Sequence, residues 1–267
     1  MSMHMATGTT TRIEIRCEAD ASGATRLRDL AASGLLRARA LRSAGGVARV
    51  ALVQTAASLL RGDDVRITVR GGPRCRLEIV EVAGMVAHDV RGGAAAHYDV
   101  RVALGAGARL CWAGQPLTLA AGCHLHRTVS ASLAAGSVLL WRDTLILGRV
   151  GETTGRLSSS TAVHHGLREL HAEHLDTGDP ALVSSCVVAG AGARVIDTLA
   201  LYGERAADGD HHGLQLAGPG TVWPLPGPSL AATAACLDPA QARWRASLFP
   251  PTTGLREDAR DDAALAV

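Results

Sequence analysis

The chain has 267 residues, with 27 basic and 25 acidic side chains, a net charge of +2, and 47% hydrophobic but only 3% aromatic residues. This balance argues against a dedicated nucleic-acid binder, since no basic stripe interleaved with aromatics tracks a phosphate backbone, and it calls for an aliphatic core. Every basic residue is arginine, so there is no P-loop lysine, Schiff-base lysine or lysine general base.

Residues 1–11 read as a disordered lead, without the basic start or apolar run of a secretory signal. Thr11–Cys17 alternates apolar and polar and predicts a strand. The apolar positions of Arg26–Arg42 fit neither the helical nor the strand period. Val47–Gln54 predicts a strand, and Leu59–Asp64 a turn into a strand over Val65–Val69. From there to about Leu201 one phrase recurs: an apolar run, a Gly/Ala turn, then a second apolar run. It turns at Gly72, Gly107, Gly136 and Gly192, where glycine is expected to supply the positive φ of a tight strand-to-strand turn. The spacing is uneven, so the expected fold is mainly β. Serially stacked β-hairpins would form a β-helix-like or layered β body, with a few α-helices towards the C-terminus. Residues 203–213 read as a polar loop, and Pro219 to Pro228, with four prolines, as an irregular connector. Asp238-Pro239 predicts the N-cap and first turn of a helix over Ala240–Leu248. The domain plan is one β-rich domain over 12–250 and a disordered tail over 251–267. The six cysteines contain no Cys-x-x-Cys pair, and no apolar stretch is as long as a membrane span. Both points lead us to expect a reduced, cytoplasmic protein with no membrane partner.

The chain has no Gly-x-x-x-x-Gly-Lys, Gly-x-Ser-x-Gly or His-Glu-x-x-His motif, and we expect no enzyme activity. The histidines raise a metal reading. His124 and His126 share one face of a strand, and His171 and His174 flank Glu173; imidazole and carboxylate suit nickel or zinc. We expect no permanent metal or cofactor, only transient contact. The alternative is a β-solenoid or cupin-like metal-binding enzyme using His124, His126 or His171/His174. Glu78 and Glu81 fall in an apolar strand context that a half-exposed strand tolerates.

The stretch Leu139-Leu140-Trp141-Arg142-Asp143-Thr144-Leu145-Ile146-Leu147-Gly148-Arg149-Val150-Gly151-Glu152 resembles the UreD/UreH family of urease accessory proteins. There a large residue, an acid and two apolar residues precede Leu-Gly-Arg and Gly-Glu. Leu60 to Ile67, with Gly62-Asp63, resembles the family's Gly-Gly-Asp turn and strand. Gly105–Trp112 with Gln115-Pro116 resembles a further family segment, and Leu157–Asp176 resembles the strand pair after Gly-Arg. The likeness covers roughly residues 45–200. The chain departs from the family pattern at Arg61, at 83–89 and at 113–116.

The resemblance implies a β-rich scaffold without catalysis of its own, assisting nickel insertion into urease. Its implied partners are a UreF-like accessory protein, a UreG-like GTPase and the urease apoprotein, with an internal polar channel for nickel. Asp63, Asp143 and Glu173 match the family's acids and become the channel candidates; Gly62, Gly148 and Arg149 carry the motifs. Weakly held oxygen donors are what a conducted cation needs. Low charge along residues 100–150 leads us to expect an exposed apolar face there for the UreF-like partner.

Overall fold

The structure, a computed structural model, describes residues 8–57, 59–178, 192–207 and 213–250. In chain order the strands are β1 (Thr10–Ala19), β2 (Thr25–Ser33), β3 (Leu36–Ala44), β4 (Val47–Gln54), β5 (Asp64–Gly71), β6 (Arg76–Glu81), β7 (Met85–Ala87), β8 (Ala96–Leu104) and β9 (Arg109–Ala113). They continue as β10 (Leu117–Leu119), β11 (His124–Leu133), β12 (Val138–Ile146), β13 (Arg156–His165), β14 (Arg168–Asp176), β15 (Val195–Tyr202), β16 (Leu214–Gln215) and β17 (Gly220–Gly227). One helix, α1 (Leu230–Leu248), follows.

The strands form two stacked sheets. The front sheet runs β14-β13-β11-β8-β5-β1-β2, and the back sheet β16-β17-β15-β12-β9-β6-β4-β3, with β7 and β10 beside it. In the middle of each sheet the pairing is parallel and in register. Ile13, Ile67, Val100 and Val129 line up across β1, β5, β8 and β11. The chain climbs by alternating sheets, from β5 to β6, β8 to β9 and β11 to β12. The recurring Gly/Ala turns are therefore arches between sheets, not hairpins within one. Both arms of each unit are apolar in the same phase, so they bury best against each other, and each pairs with the matching arm of the next unit. Antiparallel hairpins, β1–β2 and β3–β4 at one end, β13–β14 and β15–β17 at the other, close the stack. The outer strands β2, β3 and β14 carry many charges, as edges that must resist further pairing do, and β17 carries prolines instead.

The arches stack as well. Arg74 N–H donates to Ala106 O at 2.8 Å, and Gly107 N–H to Ala135 O at 3.0 Å. Gly107 and Gly136 have φ of +66° and +67° as expected, but in the first arch Arg74 (φ 57°) takes that role. Gly72 is needed there for space: a Cβ would lie 3.2 Å from Cys17 O.

The main core fills the gap between the sheets with Ile, Val and Leu, topped by Trp112 and Trp141 in edge contact. A second core lies on the outer face of the back sheet, where Leu237, Ala240, Trp244 and Leu248 of α1 cover Cys111, Val138, Leu140, Leu199 and Leu201. These two cores absorb the apolar residues of 100–150. Among the described residues of that stretch only Val150 is a large exposed hydrophobe, so the expected apolar face does not form there.

Several local expectations change. Arg26–Arg42 resolves into β2 and β3. The strand β1 begins at Thr10, inside the expected lead. The proline segment is the strand β17: β16 pairs only as far as Thr221 and Val222, so Pro224 and Pro226 turn their N–H-less side to an open edge. The helix starts earlier than expected, because Ala231–Ala235 is a strong helix former and Ser229 caps it, accepting from Ala232 N at 3.2 Å. Pro239 sits inside the helix, and Asp238 binds Arg142 rather than capping. It is the single helix among the described residues, where a few were expected. The fourth turn before Gly192, the pair His211-His212, Cys186 and the tail over 251–267 lie outside the described residues.

Candidate functional site

On β11 the inward positions are Leu125, Arg127, Val129 and Ala131. Arg127 is the one charge in that phase. Parallel register places Tyr98 on one side of it and Ser159 on the other. Facing it, β12 points Leu139, Trp141, Asp143 and Leu145 inward, and Asp143 is the one charge in that row. The two meet as a fork: Arg127 Nη1 donates to Asp143 Oδ2 at 2.8 Å and Nη2 to Oδ1 at 2.9 Å. The Arg127 side chain is 5% exposed and that of Asp143 25%. Burial opposes the charge on Arg127, and Asp143 more than offsets it, holding the guanidinium ionised. Its buried Nε–H finds no acceptor.

Two small cavities flank this pair, each with about 30 Å³ of room, enough for a water or two. Both are walled by Arg127, Trp141 and Asp143. The first opens past Ser159 and Thr161 to Glu173, His171 and Tyr202. Glu173 stands 49% exposed at that mouth, 3.7 Å from His171 Nε2, and His171 Nδ1 lies 2.8 Å from the Tyr202 hydroxyl. Burial lowers the His171 pKa and raises that of Tyr202. The second cavity reaches Glu81, Met85 and Tyr98, and a smaller one beyond it continues to Leu36, Leu52 and Ile67. Glu81 accepts from Trp112 Nε1 at 2.9 Å and from Gln115 N at 2.8 Å. Burial pushes its carboxyl above the ordinary glutamate range; those bonds offset part of the shift, and Asp143 adds to it. Gly114 N–H bonds Arg142 O, which sets Gly114, just past the end of β9, between Glu81 and Asp143, a position without a side chain. Together the cavities make a polar seam along the stack, between the sheets, carrying Glu173, Asp143 and Glu81.

Two of the three expected channel acids, Asp143 and Glu173, thus share a cavity. Asp63 does not join them. It is buried in its turn, where Oδ1 accepts from Thr9 N at 2.8 Å and Oδ2 from Leu60 N at 2.9 Å, and it lines neither of the two cavities beside Arg127. Gly62 (φ +74°) and Gly148 (φ +85°) are turn builders, and a Cβ on Gly148 would lie 2.7 Å from Thr153 O. Arg149 faces Glu152 at 3.7 Å and His88 Nδ1 at 3.4 Å, in a loop held by Arg194 through its bonds to Gly148 O, Arg149 O and Glu152 O. The motif shapes the β12–β13 loop instead of lining the seam.

Among the described residues the histidines do not converge on a metal centre. His124 and His126 lie on the outer face of the front sheet. The His126 ring is stacked on His97 at 5.3 Å and tilted against His124 at 4.9 Å, an arrangement that presents ring faces rather than converging nitrogens. Burial and the neighbouring His124, His97 and Arg156 lower the His126 pKa. His174 bonds Ser160 on the face of β14 opposite His171. Among the described residues no group of three or more His, Cys, Asp or Glu is placed to hold a metal. A concavity of about 680 Å³ crosses the arches at Gly72, Gly105, Ala134 and Gly166. Its charged lining residues are Arg16, Glu18 and Arg70, of which Arg16 and Glu18 pair with each other at 2.7 Å; the rest are mostly small or apolar, so we place the candidate site at the seam.

Sequence reasoning missed Arg127, and it took Glu81 for a tolerated surface acid. The usable signal was phase: in Leu125-x-Arg127-x-Val129 and Ile79-x-Glu81 a charge occupies the inward position of an alternating strand.

The UreD urease accessory protein family model matches residues 9–260. Urease accessory protein UreD 1 of Streptomyces griseus is 39% identical over 232 residues, covering 86% of this chain and 90% of that protein. Urease accessory protein UreD 2 of Saccharopolyspora erythraea is 34% identical over 228 residues, covering 79% and 77%. Urease accessory protein UreD 3 of Streptomyces griseus is 32% identical over 235 residues, covering 84% and 89%. With a match across nearly its whole length, the chain belongs to the UreD urease accessory protein family.

Proposed function

We propose that this protein acts in urease maturation as a non-catalytic scaffold. It bridges a UreF-like accessory protein and a UreG-like GTPase to the urease apoprotein in the cytoplasm, and nickel moves as transient cargo along the seam between its sheets. The family name supports the role in urease maturation. The observation that carries the passage is the row of acids facing small water-sized cavities, Glu173 at one mouth and Asp143 and Glu81 within. Carboxylates in such a seam bind a borderline divalent ion by exchange of its water ligands and release it to the next oxygen donor. A buried acid is costly in a dry core and far less so where water reaches it. No cavity of the seam has the volume of an organic substrate pocket, which suits conduction better than turnover.

The test is co-expression with urease structural and accessory proteins. Asp143→Asn and Glu173→Gln are expected to lower urease activity and urease-bound nickel severalfold, while pull-down of the UreF-like partner is unchanged. Urease activity equal to wild type in both variants overturns the passage. Failure to capture either accessory protein or urease overturns the scaffold.

A further inference from the structure

Among the described residues Arg127 is the buried cation whose guanidinium faces the seam's acids, and it stands where the two cavities meet. The Arg127–Asp143 fork is their shared wall. A divalent ion coming from Glu173 would meet Asp143 already neutralised and a guanidinium of like charge behind it, at low local dielectric. As built, the seam is closed electrostatically at its midpoint. The fork is also incompletely held. Ser159 Oγ lies 3.4 Å from Nη1, and the Nε–H has no acceptor, so the guanidinium is not locked on every side. On the Glu81 side a water-sized cavity adjoins the guanidinium, so a swing that way displaces its water, and the Glu81 carboxylate is an acceptor there.

We propose that Arg127 is the gate of the seam: a cation advances only by displacing the guanidinium from Asp143, which then swings towards Glu81 until the ion has passed. The proposal rests on the passage reading above. It makes Arg127 a specificity determinant. A bidentate charge-assisted pair yields to a doubly charged, carboxylate-seeking ion and not to a monovalent one.

The test is titration of nickel(II) chloride into the purified full-length chain, read by isothermal calorimetry. Arg127→Met frees Asp143 and is expected to bind nickel at least tenfold more tightly than wild type. Arg127→Lys, which keeps the charge but loses the fork, should show a smaller gain. Arg127→Met with Asp143→Asn should return to the wild-type affinity. Thermal unfolding checks each variant, and where Arg127→Met does not fold the Lys variant decides. Wild-type affinity in the folded Arg127 variants overturns the gate, and so does a double variant that binds as tightly as Arg127→Met. Reduced urease activation by Asp143→Asn and Glu173→Gln alongside unchanged titrations overturns the gate alone. Normal activation by both overturns the passage itself.

Discussion

Arg142 and Asp143 are neighbours on β12, yet they lead into two different clusters. Arg142 points to the outer side of the back sheet, under α1. Its Nε and Nη2 reach Asp197 at 3.1 and 2.9 Å, and its Nη1 reaches Asp238 at 2.6 Å and Gln241 at 2.7 Å. Asp197, with no exposed surface, also accepts from Thr144 Oγ1 at 2.8 Å. That cluster has both ends of the guanidinium engaged and ties the helix to the sheet. Asp143 points the other way, into the seam, where its partner keeps an idle N–H and a cavity stands on each side. The same chemistry serves as a clamp when saturated and sealed, and as a candidate for exchange when it is not. Glu78 repeats the clamp further along the sheet: Arg49 and Arg245 of α1 both grip it, at 2.7 and 2.5 Å.

The comparison breaks first at Asp197. Replacing it by Ala strips a buried arginine of its main partner and should cost about 3–5 kcal/mol in denaturant unfolding. A loss under about 1 kcal/mol would mean that the outer cluster is no clamp. Asp143→Asn, which keeps one acceptor and borders water, should cost less, about 1–3 kcal/mol, and its effect on urease activation should exceed what that loss explains. Glu78→Gln should cost about 1–2 kcal/mol at neutral pH. Burial pushes the Glu78 pKa up, but Arg245 and Arg49 more than offset this and hold it below the ordinary range. Its contribution is therefore present above the unfolded pKa and lost as pH falls through the folded one, so the gap between wild type and variant should close in acid. Unfolding curves at neutral and acid pH measure it.

Smaller effects sharpen the seam side. Burial lowers the His171 pKa, so the unfolded chain takes up that proton first as pH falls. Stability should decline from the ordinary histidine pKa downward, and His171→Asn should flatten that slope. Glu173, half exposed, should be worth no more than about 0.5 kcal/mol to stability. A clear fall in urease activation with an unchanged unfolding midpoint in Glu173→Gln would separate cargo handling from folding most cleanly.

The sequence by itself determined the β body. Val47–Gln54 is a strand with the bounds expected of it, and the Gly/Ala arches recur where two apolar runs meet. It also pointed to the family, through Asp143 and the Leu-Gly-Arg run, and to Asp143 and Glu173 as acids of interest. Those are local properties: period two makes strands, and a turn needs its small residues nearby in the chain. Only the tertiary structure decided which acids share a space. Asp63 and Asp143 both match acids of the family pattern, but one closes a turn against Thr9 and Leu60 while the other faces Arg127 across the two sheets. Arg127 precedes Asp143 by 16 residues, on the opposite arm of the same unit, and Glu81 comes from another unit, so alternation within a strand pairs none of them. Parallel register stacks corresponding positions of successive units and sets the inward charges of one sheet against those of the other. That register is fixed by burial of the aliphatic rows around them, a long-range effect that no single unit of this chain contains.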